Sequence, residues 1–173
     1  LGYFLTNLYW ITISLTFDEN FNFLIPLALF LIPSFLAVFY GLATYFFFRI
    51  NVNKPLSNLF LFSFSFGLIE FLRGNILTGF PWNLIAFSFS ENLEILQIIS
   101  SIGTYGFNIL CISFFTSPAI FILKENRKEL LVCIFFLISS IVLYYVGSLK
   151  IKSFESSNII KNDFIIRAVG SKI

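Results

Sequence analysis

The sequence has no histidine and no methionine, and only 12% of its 173 residues are charged. Each shortage excludes something. Without histidine there is no His-based acid–base catalysis, and most zinc sites are ruled out. Without methionine, Leu1 is not a translation start, so the chain is expected to begin inside a longer protein or after processing. The first residues also lack the charged n-region and small-residue cleavage site of a signal peptide. A net charge of +2, dispersed along the chain, offers nucleic acid no basic face. No metal-ligand set and no cofactor motif stand in the sequence, so neither a metal nor a cofactor is expected.

Cysteine is scarce too, with only Cys111 and Cys133. Both lie inside apolar runs, where a thiol behaves as a small buried hydrophobe. Such surroundings disfavour both a reactive thiolate and a disulfide.

What the chain does have is apolar surface. Hydrophobic residues make up 58% of it, phenylalanine alone occurs 26 times, and the mean hydropathy is +0.91. A soluble domain carries about 25% charged residues, and half that amount cannot cover a globule in water. Five apolar stretches, at about 1–17, 23–48, 56–72, 95–123 and 130–149, approach or exceed the roughly 20 residues that cross a bilayer as a helix. Strands would show period-two alternation or short runs broken by turns. The expectation is therefore an all-α polytopic membrane protein of about five transmembrane helices, forming one domain over 1–149.

The loops between spans set the orientation. Arg49 and Lys54 lie in one loop, and Lys124, Arg127 and Lys128 in another, while the intervening opposite-side loops hold Arg73 alone. By the positive-inside rule the first pair of loops is cytoplasmic. The tail beyond residue 149 is then non-cytoplasmic, against the tendency of its own Lys150 and Lys152. Residues 150–163 read as a linker, and 164–169, FIIRAV, as a short β-prone run.

One stretch differs from the rest. Glu70 and Arg73 are three apart, share a helix face and can pair, which lowers the cost of an ionisable group in a span. Helix packing and substrate contact are equally open as the reason for that pair. Residues 78–82 follow as TGFPW: Gly79 frees the backbone, Pro81 fixes it, and Phe80 and Trp82 suit a membrane–water boundary. Taken alone, that loop reads more readily as a tight interfacial turn with an aromatic anchor than as a substrate contact. Asn83, Gln97 and Asn108 need partners if buried. In the first span, Asn7 falls beside Tyr3 and Trp10, either as an interface anchor or as the lining of a groove.

Taken together, EFLRG at 70–74, TGFPW at 78–82 and Gln97 ahead of GTYG at 103–106 resemble the membrane domain of bacterial apolipoprotein N-acyltransferases. The start, Gly-Tyr-Phe…Asn…Tyr-Trp over 2–10, resembles an earlier helix of that domain. FIIRAV resembles the strand that opens the family's nitrilase-like domain, although the Gly-Ser-Lys that follows departs from the usual pattern.

The resemblance implies an acyltransferase that moves an acyl chain from a phospholipid to the N-terminal amine of a diacylated lipoprotein, through a thioester on a cysteine. It places the full-length enzyme in the bacterial cytoplasmic (inner) membrane, as a monomer with several spans and with the tail of this chain on the non-cytoplasmic side. The reacting Glu–Lys–Cys triad belongs to the nitrilase-like domain, so no catalytic residue is expected in this chain and the segment alone is expected to be inactive. Its role would be a lipid-docking platform and scaffold. The positions that match are Glu70, Arg73, Thr78, Gly79, Phe80, Pro81, Trp82, Asn83 and Gln97, joined by Asn7 and Trp10 of the first span. A transporter or channel module would instead distribute ionisable groups through several spans, and a purely structural subunit would leave TGFPW unexplained.

Overall fold

The computed structural model describes residues 1–50, 52, 54–76, 79, 81–122 and 127–157. Every regular element among them is helical. Four helices are long and apolar enough to cross a membrane: one beginning in the 3₁₀ turn at Glu19 and ending at Ile50, then Pro55–Asn75, Ile99–Ile120 and Arg127–Ser156. In the most apolar windows of the first and last of these, only 11% of residues are buried inside the protein. Helices so apolar and so little covered need hydrocarbon around them. The chain is an all-α polytopic membrane protein.

The first stretch is not one continuous α-helix. A seven-residue helix α1, Gly2–Leu8, passes into a 3₁₀ run, Tyr9–Phe17, and after Asp18 into another, Glu19–Leu24. The sequence of the middle run explains this. Residues 11–16, ITISLT, are rich in β-branched side chains, which are stiff and crowd a helix. The hydroxyls of Thr12, Ser14 and Thr16 also bond the carbonyls three residues back, at 2.6, 2.7 and 2.8 Å, a local alternative that competes with α-helical bonding.

Helix α2, Ile25–Ile50, carries Pro26 in its first turn, where the missing N–H has no helical partner to lose. Helix α3, Pro55–Asn75, starts on a proline at its first position, for the same reason. A four-residue helix α4, Leu93–Leu96, follows a 3₁₀ turn at Ile85–Phe89. Helix α5, Ile99–Ile122, is broken at Gly103, whose φ of 72° and ψ of 168° lie outside the helical region. Helix α6, Arg127–Ser156, extends beyond the expected end at 149. The β-prone run 164–169 lies outside the described residues.

The helices pack as an antiparallel series. Tyr40 and Phe47 of α2 meet Phe66 and Phe62 of α3. On α3, a Cβ at Gly67 would overlap Ile109, and one at Gly74 would overlap the hydroxyl of Tyr105. Both glycines therefore let α5 lie close against α3. Ser117 of α5 meets Cys133 of α6. This alternation puts Arg49 and Lys54 at the same end of the bundle as Arg127 and Lys128. Against α2, Phe4, Leu8 and Leu36 form a small buried cluster.

Candidate functional site

Glu70 and Arg73 sit in the last turns of α3 and are 1% and 2% exposed. The i, i+3 spacing brings Arg73 Nη2 to 3.9 Å from Glu70 Oε1. Other helices complete the carboxylate's shell. The hydroxyl of Tyr40, on α2, donates to Oε1 at 2.6 Å, and the amide of Asn108, on α5, donates to Oε2. The guanidinium lies 5.5 Å from the Phe4 ring centre and 5.9 Å from that of Tyr40, within cation–π range. Charges removed from water are tolerable only when paired and hydrogen-bonded, and here four helices supply the pairing.

Arg73 also reaches forward in sequence. Its Nη2 donates to the carbonyl of Trp82 at 3.0 Å, so the ion pair holds the segment after α3. Arg73 Nε and Nη1 are buried without an acceptor, which costs stability. The guanidinium faces the protein interior rather than the surface.

The segment it holds folds back along α3 and α5. A turn closes with Gly79 N–H donating to the Ile76 carbonyl at 3.0 Å. Gly79 has φ of +71°, and a Cβ there would stand 2.6 Å from the carbonyl oxygen of Gly74, so the position requires glycine. Thr78 and Phe80 lie outside the described residues, while Pro81 is exposed. The Trp82 ring stacks on Trp10, with centroids 5.0 Å apart and planes 13° from parallel. Asn83 has φ of 58°, a left-handed conformation that asparagine accepts more readily than most residues. Its carbonyl accepts the hydroxyl of Tyr3 at 3.0 Å.

Asn108 then anchors the next turn. Its Oδ1 accepts the Ala86 N–H at 3.0 Å while its Nδ2 serves Glu70. Leu84 and Ala86 are buried with Phe107 and Cys111, and Phe89 stacks on Phe115 at 5.7 Å. Residues 83–89 therefore run alongside the stretch of α5 from Phe107 to Phe115, with Leu84 and Ala86 buried and Phe87 and Ser88 exposed.

Beside this segment opens a cavity of about 500 Å³. Tyr3, Asn7, Asn83 and Ser88 form its polar edge, and Phe87 and Phe115 are among its apolar walls. The Nδ2 of Asn83 is buried with no hydrogen-bond partner. Asn7 and Ser88 donate locally, to the Tyr3 carbonyl at 2.8 Å and the Ile85 carbonyl at 2.8 Å. A mixed lining of this size suits a molecule with an apolar chain and a polar end. Among the described residues no group of three His, Cys, Asp or Glu side chains converges on a metal position.

Most of the residues singled out in the sequence thus meet in one place. Glu70, Arg73, Trp82 and Asn83 are joined with Asn7 and Trp10 through direct contacts or through Tyr3. Gln97 stands apart, its amide donating to the Leu93 carbonyl 3.2 Å away on its own turn. Tyr40 and Phe4 are members that the sequence reading left out. A tyrosine hydroxyl amid the apolar residues of α2 needs a partner when buried, which is the signal that could have identified Tyr40.

The family model for the N-terminal domain of apolipoprotein N-acyltransferase matches residues 1–117. Among curated relatives, an apolipoprotein N-acyltransferase of Brucella melitensis is 38% identical over 120 residues, covering 69% of this chain and 22% of the relative. One of Rhizobium rhizogenes is 34% identical over 127 residues, covering 73% and 24%. One of Rickettsia bellii is 35% identical over 153 residues, covering 87% and 30%. The chain spans 22% to 30% of the length of these relatives. No solved structure matches it.

Proposed function

The chain belongs to the apolipoprotein N-acyltransferase family, and from that premise we propose that residues 1–149 act as the membrane platform of such an enzyme. The reaction served is transfer of an acyl chain from a phospholipid to the N-terminal amine of a diacylated lipoprotein, in the bacterial inner membrane. The chain's own part is to dock lipid and to hold the segment after α3 in place, with no bond-breaking role. The end of the bundle carrying Trp10 and Trp82 faces the non-cytoplasmic side, where α6 also ends, at Ser156.

One observation carries this reading: the buried network of Tyr40, Glu70, Arg73 and Asn108 ties α2, α3 and α5 to the backbone at Trp82 and Ala86, beside an amphipathic cavity. Neither cysteine competes for the role of nucleophile. Cys111 is buried in the apolar core, and Cys133 contacts the Ser117 carbonyl between two spans. A platform that holds an acyl chain near a reactive thiolate contributes through proximity and orientation.

The test is Arg73→Ala in the full-length enzyme. Loss of the Trp82 tether should slow formation of the acyl-enzyme from phospholipid, with the catalytic domain still folded. Normal expression with unchanged acyl-enzyme formation would overturn the proposal.

A further inference from the structure

Helix α6 is held at two levels. Of its 30 residues only Glu129, Phe136 and Gly147 are buried. Phe136 packs with Leu59 of α3 and Ile120 of α5, close to the contact of Cys133 with Ser117. Further along, Gly147 lies against α4, where an added Cβ would collide with the Cα, carbonyl carbon and carbonyl oxygen of Glu94. All three are backbone atoms, so no side-chain rotation relieves the clash. Glycine inside a helix is unfavourable, and the close approach to α4 is what it permits here.

Helix α4 is not free to give way. Its Ile95 and Leu96 pack on the cluster of Leu84, Ala86, Phe107 and Cys111, and the Ala86 N–H is held by Asn108 of the Glu70 network. Any bulk at position 147 therefore moves α6. We infer that Gly147 is a positioning residue for acyl transfer: by admitting the Glu94 backbone, it fixes where the Ser156 end of α6 stands relative to the Glu70 network. The inference rests on the platform reading, under which the reacting groups are carried outside residues 1–149.

The geometry is that of a lever. At 1.5 Å per residue, about 16.5 Å of helix separate Phe136 from Gly147, and about 13.5 Å more reach Ser156. With Phe136 as pivot, a displacement of about 1 Å at Gly147 becomes about 1.8 Å at Ser156. The helix is about 45 Å long, against about 30 Å of hydrocarbon. Its last turns, with Lys150, Lys152 and Glu155 exposed, leave the membrane and carry that displacement with them. A misplacement of about 1 Å can cost about a hundredfold in rate.

The test uses the full-length enzyme with spin-labelled unnatural amino acids at positions 75 and 156, both exposed, and double electron–electron resonance. Gly147→Ala should change the 75–156 distance by about 2 Å. It should also slow single-turnover formation of the acyl-enzyme from phosphatidylethanolamine by about tenfold or more, with the half-saturating lipid concentration unchanged. Ala43→Gly, at a buried site on α2, lowers helix stability and should change neither quantity. An alanine inserted between Ser148 and Leu149 keeps the Gly147 contact but turns the end of α6 by about 100°. It should slow the same step, and it keeps the test decisive if Gly147→Ala does not fold. An unshifted distance, a shifted distance with an unchanged rate, an effect matched by Ala43→Gly, or an insertion variant of parental rate overturns the inference. None of these outcomes touches the platform reading, which stands or falls with Arg73→Ala.

Discussion

The amide of Asn108, on α5, donates a hydrogen bond to the carboxylate of Glu70, 38 residues earlier on α3. The same side chain accepts the backbone N–H of Ala86, so one residue links two spans to the segment that runs between them. Asn108→Leu should leave a buried acceptor and a buried donor unpaired. The expected loss is about 2–3 kcal/mol, because one of the bonds is to a charged group. Reversible unfolding of the full-length protein in detergent measures it, and a loss within the range of a surface substitution would contradict the assignment.

Replacing one member of the ion pair should be worse than replacing both. Glu70→Ala strands the Arg73 guanidinium, at a cost of about 3–5 kcal/mol. Glu70→Leu combined with Arg73→Met removes both charges and should cost markedly less than the sum of the single changes. A double-mutant cycle gives the coupling directly, and a coupling energy near zero would show that the two do not pair.

The glycines should separate by what surrounds them. Gly147→Ala presses a methyl group into the backbone of Glu94, which has no flexible side chain to move aside. It should destabilise the protein and displace α4 from α6. Gly41→Ala, where a Cβ meets nothing within 4 Å, should stabilise α2 by about 0.5–1 kcal/mol. Thermal unfolding of the pair checks the sign of each.

Gly79→Ala combines an unfavourable backbone conformation with a close approach to the Gly74 carbonyl. The conformation alone costs about 1–2 kcal/mol. Gly103→Ala meets no contact, since its Cβ position is open, but its φ of 72° and ψ of 168° lie in a region that essentially only glycine visits. Both variants should therefore unfold at a lower temperature than the parent, which thermal unfolding checks.

The Trp10–Trp82 stack should couple the first stretch to the segment after α3 by about 0.5–1.5 kcal/mol. Trp10→Ala, Trp82→Ala and the double variant form the cycle. Additive losses would mean that the rings meet without contributing.

Composition and run length were enough to read the class of fold, because a bilayer demands apolar residues wherever a helix faces it, and nothing in a soluble protein needs so many. The signature residues were legible as well: Gly79 and Pro81 constrain the backbone whatever surrounds them, and an i, i+3 pair such as Glu70 and Arg73 meets on any helix. The first stretch was harder. Its residues are apolar enough for a span, yet β-branching and hydroxyl back-bonding in 11–16 favour 3₁₀ turns over an α-helix.

The sequence by itself determined that this chain lives in lipid and that a few polar residues must find partners there. Only the tertiary structure decided which partners. Tyr40 meets Glu70 across 30 positions, Asn108 across 38, and Tyr3 meets Asn83 across 80. Those pairings depend on which helix faces which and at what height. Local propensity does not encode that. It follows from the close approach of α5 to Gly67 and Gly74, which brings Asn108 level with Glu70 in a medium where an unpaired polar group is costly.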